Sequence, residues 1–132
     1  MEETKMKNDQ DTVLWLSIQD ALNLYLEAIK ADYLRGYRPV ANDSIAEQIR
    51  NESIYNFFKG LTYEIGSKYI KVITAHGPSR SVHSFIVRED GPKFKKGDIL
   101  KSATWNAPAK NQARGNIFGQ YHISWTGADY LR

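Results

Sequence analysis

Residues 101–118, KSATWNAPAKNQARGNIF, hold the side chains best suited to chemistry in this chain. Lys101, Trp105, Asn106, Lys110, Asn111, Gln112, Arg114 and Asn116 all fall there, and no acidic residue does. A guanidinium pairs with a phosphate through two parallel donors. A carboxamide reads the edge of a base, and an indole stacks on one for ~1–3 kcal/mol. Together these are the groups that hold a nucleotide. Pro108 disfavours helix at Ala107, so the stretch is expected to be a loop with donors facing outward. A long polar loop without acids is unusual as a mere connection. The plainer reading is a solvated basic loop around a buried tryptophan.

Two shorter clusters offer similar groups. Arg35-Gly36-Tyr37-Arg38-Pro39, followed by Asn42, sets two guanidiniums around a tyrosine after a helix end. Those cations either bind a ligand or cap the helix. His76-Gly77-Pro78-Ser79-Arg80 is a turn with a cation and free amides, and His83 follows on the next strand. His83 is either a ligand contact or a structural histidine. Lys93-Phe94-Lys95-Lys96 reads as a solvated turn.

Enzymatic signatures are missing. There is no GxxxxGK[ST], GxGxxG, HExxH or GxSxG. His76, His83 and His122 lie on separate segments, so their spacing prescribes no metal site. Only His122-Ile123-Ser124 fits the His-x-Ser/Thr pattern, which phosphoesterases of that kind carry twice. The expectation is a binder with no cofactor, no metal and no catalytic residue.

The charge layout agrees. Residues 1–66 hold 7 Lys/Arg against 11 Asp/Glu, and residues 67–132 hold 11 against 4, for a net charge of +3. A basic half suits an anionic ligand or an acidic surface. The alternative is a dimer whose acidic and basic halves pair.

The elements must place these groups. A chain of 132 residues is expected to form one domain, 1–132, large enough to bury a core without disulfides or metals. At 42% hydrophobic and 25% charged it has a globular composition. Cysteine is absent, which excludes disulfides, thiolate zinc sites and a cysteine nucleophile and suits a reducing compartment. No apolar run nears the ~20 residues of a membrane helix, and the polar start MEETKMKNDQD is no signal peptide. A cytoplasmic protein is therefore expected, with residues 1–11 as a mobile arm.

From Ser17, a cap, Ile18, Ala21, Leu22, Tyr25, Ala28, Ile29 and Tyr33 share a helical face that ends at Gly36. Residues 13–16 read as a short strand or a first turn. Leu24, Leu26 and Leu34 widen the apolar surface, as a subunit interface would. A second helix is expected from Asn42 or Asp43 to Lys59, burying Ile45, Ile49, Phe57 and Phe58. Strands are expected at 68–75, 80–88, 98–105 and 120–125. In the second, Val82, Ser84 and Ile86 should share one face, and Ser81, His83, Phe85 and Val87 the other. Helices followed by strands predict an α+β domain with an antiparallel sheet of about four strands.

The runs RSVHSF at 80–85, GDILK at 97–101, ATWNAPAK at 103–110 and ARGNIF at 113–118 are similar to a widespread group of small tailed-phage proteins. Within that group the chain resembles the first Thoeris anti-defence family. The resemblance implies an oligomeric sponge that binds signalling nucleotides, such as cyclic ADP-ribose isomers and cyclic trinucleotides, and sequesters them uncleaved. It also implies arginine, aromatic and asparagine contacts, roles that Arg114, Trp105 and Asn106 or Asn116 would fill. The competing expectations are a single-strand nucleic-acid binder and an inhibitor that docks on a host protein through the basic half.

Overall fold

The computed structural model describes residues 6–129, with side chains from Ile18 to Ala128. Two helices, α1 (Met6–Arg35) and α2 (Ile45–Gly60), precede β1 (Thr62–Ile65), β2 (Tyr69–His76), β3 (Ser79–Val87) and β4 (Ile99–Leu100). These strands form one antiparallel sheet in the order β1-β2-β3-β4. A separate hairpin follows, β5 (His122–Ser124) with β6 (Gly127–Asp129). The fold is α+β, with helices first and a four-stranded antiparallel sheet second. No helix among the described residues is long and apolar enough to cross a membrane.

The expected face of α1 packs on the sheet. Leu22, Tyr25 and Ile29 meet Ile70, Val72, Ile86 and Ile99, with Phe57, Leu61 and Ile117 closing the same core. Each such aliphatic side chain contributes roughly 1.5–3 kcal/mol on leaving water. The helix starts earlier than its cap suggested. Residues 6–11, expected as an arm, and 13–16, open between strand and turn, are helical. At its other end Asp32 accepts from the Arg35 guanidinium (2.5 Å) and from the Trp125 backbone N–H (2.9 Å). The Arg35 hydrogen bond holds the Asp32 carboxyl below its ordinary value, helped by Trp125 and opposed by desolvation.

Ser44 caps α2 by accepting from the Glu47 N–H (3.0 Å), and Glu47 reaches back to the Asp43 N–H (2.8 Å). Its expected buried face is corrected. Phe57 is buried, but Ile45 and Ile49 are 75% and 60% exposed. The helix docks only through its last turns, where Phe57 stacks flat on Tyr33 at 3.9 Å. Gly60 also lies so close to Ala75 that any side chain there would collide with it. The first turns consequently project from the core.

The strand expectations hold for β2 and β3 and fail elsewhere. β1 was not foreseen. Of 98–105, only Ile99–Leu100 is strand. The run at 120–125 leaves the main sheet and pairs with β6. The decisive departure lies within β3. Val72 pairs with Ser84 and Ile73 with Val82, so His83 is an extra residue, a β-bulge. The bulge reverses the alternation. Val82 joins Phe85 and Val87 on the outer face, while His83 joins Ser84 toward α1.

Both inward polar groups are satisfied. Tyr25 OH lies 2.7 Å from Ser84 Oγ, which lies 2.9 Å from His83 Nδ1. His83 Nε2 is 2.8 Å from the Ser124 carbonyl. A carbonyl only accepts, so His83 Nε2 carries a proton and donates to Ser124. Nδ1, the Ser84 hydroxyl and the Tyr25 hydroxyl complete the same hydrogen-bonded chain. Burial pushes the Tyr25 hydroxyl well above its ordinary value, with Ser84 opposing the shift.

Residues 114–117 run beside β4, with Arg114 N–H donating to the Ile99 carbonyl (2.7 Å) and Ile99 N–H to the Gly115 carbonyl (2.9 Å). Gly115 has φ +131°, and a Cβ there would sit 2.5 Å from the Gln120 carbonyl oxygen.

Three outcomes follow from this packing. Tyr25→Phe should cost about 1–3 kcal/mol in urea denaturation, since it leaves the buried Ser84 hydroxyl without that partner; an unchanged midpoint would show that this hydrogen bond contributes nothing to stability. Gly115→Ala should destabilise by more than ~1 kcal/mol in the same assay, through left-handed strain and backbone collision together. Asp32 has a lowered folded pKa, so its contribution is complete above the unfolded value of about 3.9 and lost as pH falls through the folded value. The stability gap between wild type and Asp32→Asn should therefore narrow below about pH 4, whereas a gap constant with pH would contradict it.

Candidate functional site

The site is built on the outer face of the sheet. Tyr69 pairs with Val87 and Lys71 with Phe85 across β2 and β3, so Tyr69, Lys71 and Phe85 share that face. Glu64 of β1 pairs with Lys71 from the other side. The bulge turns Arg80 to the same face. There the Trp105 indole meets two cations: Lys71 Nζ lies 4.6 Å and Arg80 Cζ 5.3 Å from its centroid. Arg80 also pairs with Glu64 at 3.5 Å. Trp105 remains 39% exposed.

The loop that carries Trp105 is a tied structure rather than a flexible run. Thr104 Oγ1 accepts from the N–H groups of Asn106 (3.3 Å) and Ala107 (3.1 Å). The Ala107 carbonyl accepts from Ala103 and Thr104, each at 3.0 Å, and Ala109 donates to the Lys101 carbonyl at 2.7 Å. Short side chain to backbone bonds of this kind fix a turn without regular structure.

Two concavities open on this side of the sheet. A groove of about 320 Å³ is lined by Glu64, Lys68, Tyr69, Lys71, Phe85 and Asn106 among others. A cavity of about 350 Å³ lies beyond Tyr69, with Val87, Phe94, Lys68, Lys93 and Lys110 on its walls. Lys93 donates to the Lys110 carbonyl across it. The face therefore offers ammonium and guanidinium donors set against aromatic walls. That chemistry binds anions carried on planar rings. Among the described residues no group of His, Asp and Glu could hold a metal ion.

Of the expected site residues, Arg80 and Trp105 meet, Asn106 lines the groove next to them, and Lys110 lines the cavity beyond Tyr69. Lys101 is exposed at the base of the same loop. Arg35 closes α1 on Asp32, and Arg38 and Asn42 are exposed in the connection between the helices. His76 ends β2 with its ring 5.5 Å from Trp125, beside Phe57.

Three expectations are corrected. His83 is 3% exposed and turned toward α1 by the bulge, so it is a core group. Arg114 is 6% exposed because its backbone follows β4, and its guanidinium does not face solvent. Asn116 is a backbone clip. Its amide donates to the Lys96 carbonyl (2.9 Å) and to Asp98 Oδ1 (3.0 Å), and its own oxygen accepts from Phe118 N–H (2.8 Å).

Lys68, Tyr69, Lys71, Phe85, Lys93 and Phe94 were missed. A signal for three of them is present in KYIKVITA. The alternation sets Lys71 and Tyr69 against the apolar Ile70 and Val72, and an aromatic and a cation on one strand face mark a binding surface.

The chain belongs to DUF7717, a family of unknown function, which it matches over residues 2–130. No curated protein and no solved structure matches it.

Proposed function

From the chemistry of this face, we propose that the chain is a non-enzymatic binder of small phosphorylated nucleotides. It holds signalling nucleotides, such as cyclic ADP-ribose isomers and cyclic oligonucleotides, intact and away from their effectors. On this reading it is a phage counter-defence sponge, working as a homo-oligomer in the host cytoplasm. The observation that carries the reading is Trp105 held against Lys71 and Arg80, with Lys71 and the neighbouring Asn106 lining a groove over Tyr69 and Phe85.

Nanomolar capture needs roughly −12 kcal/mol. Charge-assisted phosphate contacts are about twice as strong as neutral ones, and each stacked base adds ~1–3 kcal/mol. The two cations are already held against the indole, so little side-chain ordering is left for the ligand to drive. Asn106 supplies a carboxamide for a base edge. Sequestration asks for no nucleophile and no metal. The phage setting is part of this proposal and rests on the resemblance of roughly residues 68–118 to small tailed-phage proteins.

A single-strand nucleic-acid binder is the second reading, favoured by the same pairing of cations and aromatics on an open sheet face. Salt separates the two. A protein on 6–10 phosphates loses roughly 10³–10⁵ in affinity between 50 and 200 mM salt.

Isothermal titration with cyclic ADP-ribose and a cyclic trinucleotide, followed by chromatography of the released ligand, tests the proposal. The expected result is submicromolar binding of at least one, intact recovery, and less than about tenfold loss over that salt range. Lys71→Glu should weaken binding at least tenfold without lowering the melting temperature. Recovery of a cleaved product would make the chain an enzyme. Unaltered binding by Lys71→Glu would move the site elsewhere.

A further inference from the structure

The groove and the cavity share three wall residues, Ser67, Lys68 and Tyr69. We infer that they are two halves of one site, which takes a cyclic dinucleotide: one nucleoside on each side of Tyr69, with one of the two linking phosphates at Lys68. The inference rests on the proposed function and narrows its ligand class.

Size comes first. At about 320 and 350 Å³, each half lies at the low end of the roughly 300–1,000 Å³ of ligand pockets. Each suits a single base with its sugar, and neither suits a two-nucleoside ligand alone.

Chemistry repeats across the wall. The groove has the Tyr69 ring at its wall, packed edge-on against the buried Phe85, and Asn106 as a base-edge group. The cavity has Phe94 as its aromatic wall and Glu89 at its margin. A carboxylate there accepts from the exocyclic amine of a base. The neighbouring Asp90 carboxylate is already engaged by the Lys96 N–H at 2.8 Å. Lys71 flanks one half and Lys110 the other, while Lys68 belongs to both.

The partition is rigid. Gly66 N–H donates to the Tyr69 carbonyl at 2.8 Å, and Arg88 N–H to the Lys68 carbonyl at 3.1 Å. The Arg88 guanidinium also binds the Gly66 carbonyl at 2.6 Å. Both ends of the 66–69 turn are therefore held against β3. A fixed wall between two matched recesses favours a ligand with two rings at a set separation, because no ordering cost is added when the second ring engages.

The test compares cyclic di-AMP with AMP by calorimetry on the full chain. Variants are Lys68→Glu on the shared wall, Lys110→Glu in the cavity and Asn106→Ala in the groove. All three residues are exposed, and thermal melts check that each variant folds. Cyclic di-AMP should bind at least tenfold more tightly than AMP. Lys68→Glu should abolish that advantage, and Lys110→Glu and Asn106→Ala should each weaken cyclic di-AMP several-fold. Equal affinity for the two probes, or a silent variant on either side of Tyr69, overturns the two-part site. So does cyclic ADP-ribose binding without cyclic di-AMP binding; in each of these cases the proposed function stands. Failure of every nucleotide to bind overturns both.

Discussion

One extra residue in β3 governs much of this molecule. The bulge at His83 places two consecutive polar side chains, His83 and Ser84, on the face that should bury apolar ones. A buried polar group without a partner costs about 1–3 kcal/mol. Here the cost is avoided by a chain of hydrogen bonds from Tyr25 through Ser84 and His83 to the Ser124 carbonyl. That chain joins α1, β3 and the β5–β6 hairpin. In a low-dielectric interior each of its bonds is stronger than it would be in water. The same bulge sends Val82 and Arg80 outward. Unbulged, β3 would turn Arg80 toward the helix side, and the indole would meet Lys71 alone. The core and the outer site thus share a single backbone irregularity.

Much of this was legible in the sequence. The face of α1 read correctly because a 3.6-residue repeat of Leu22, Tyr25 and Ile29 has one meaning. β2 read correctly because β-branched residues cluster there. The register of β3 did not, because a bulge has no compositional mark, and a strand read at period two puts His83 with Phe85. Ile45 and Ile49 misled for another reason. An apolar stripe shows that a helix can pack, but where α2 packs is set by Phe57 on Tyr33 and the close approach at Gly60. β1 is short and, apart from Tyr63, exposed, so it had little pattern to show.

The candidate site divides the same way. Trp105, Asn106, Lys110 and Arg80 were found from residue type, since cations, carboxamides and an indole in one acid-free stretch are visible locally. Arg114 and Asn116 carry the same chemistry and lie in the same stretch, yet the fold uses them inside. Their backbone runs beside β4, a non-local fact. Lys71 and Lys68 were missed for the converse reason: residues 68–75 read as a strand from their β-branched residues, and the lysines among them lie outside the acid-free stretch. Only the pairing of β2 with β3, and the loop laid over both, shows which lysines face an aromatic.

The tied turn around Thr104 bears on timing. Its hydrogen bonds close within residues 101–109, so Trp105 is held in place before anything arrives. A surface that needs no folding to become competent imposes no conformational gate on association. Encounter is then governed by diffusion and by the field of the basic half, which speeds the approach of anions. Residence time is left to short-range contacts. For any anion that this face takes up, speed of capture and length of retention are thereby set by different parts of the same molecule.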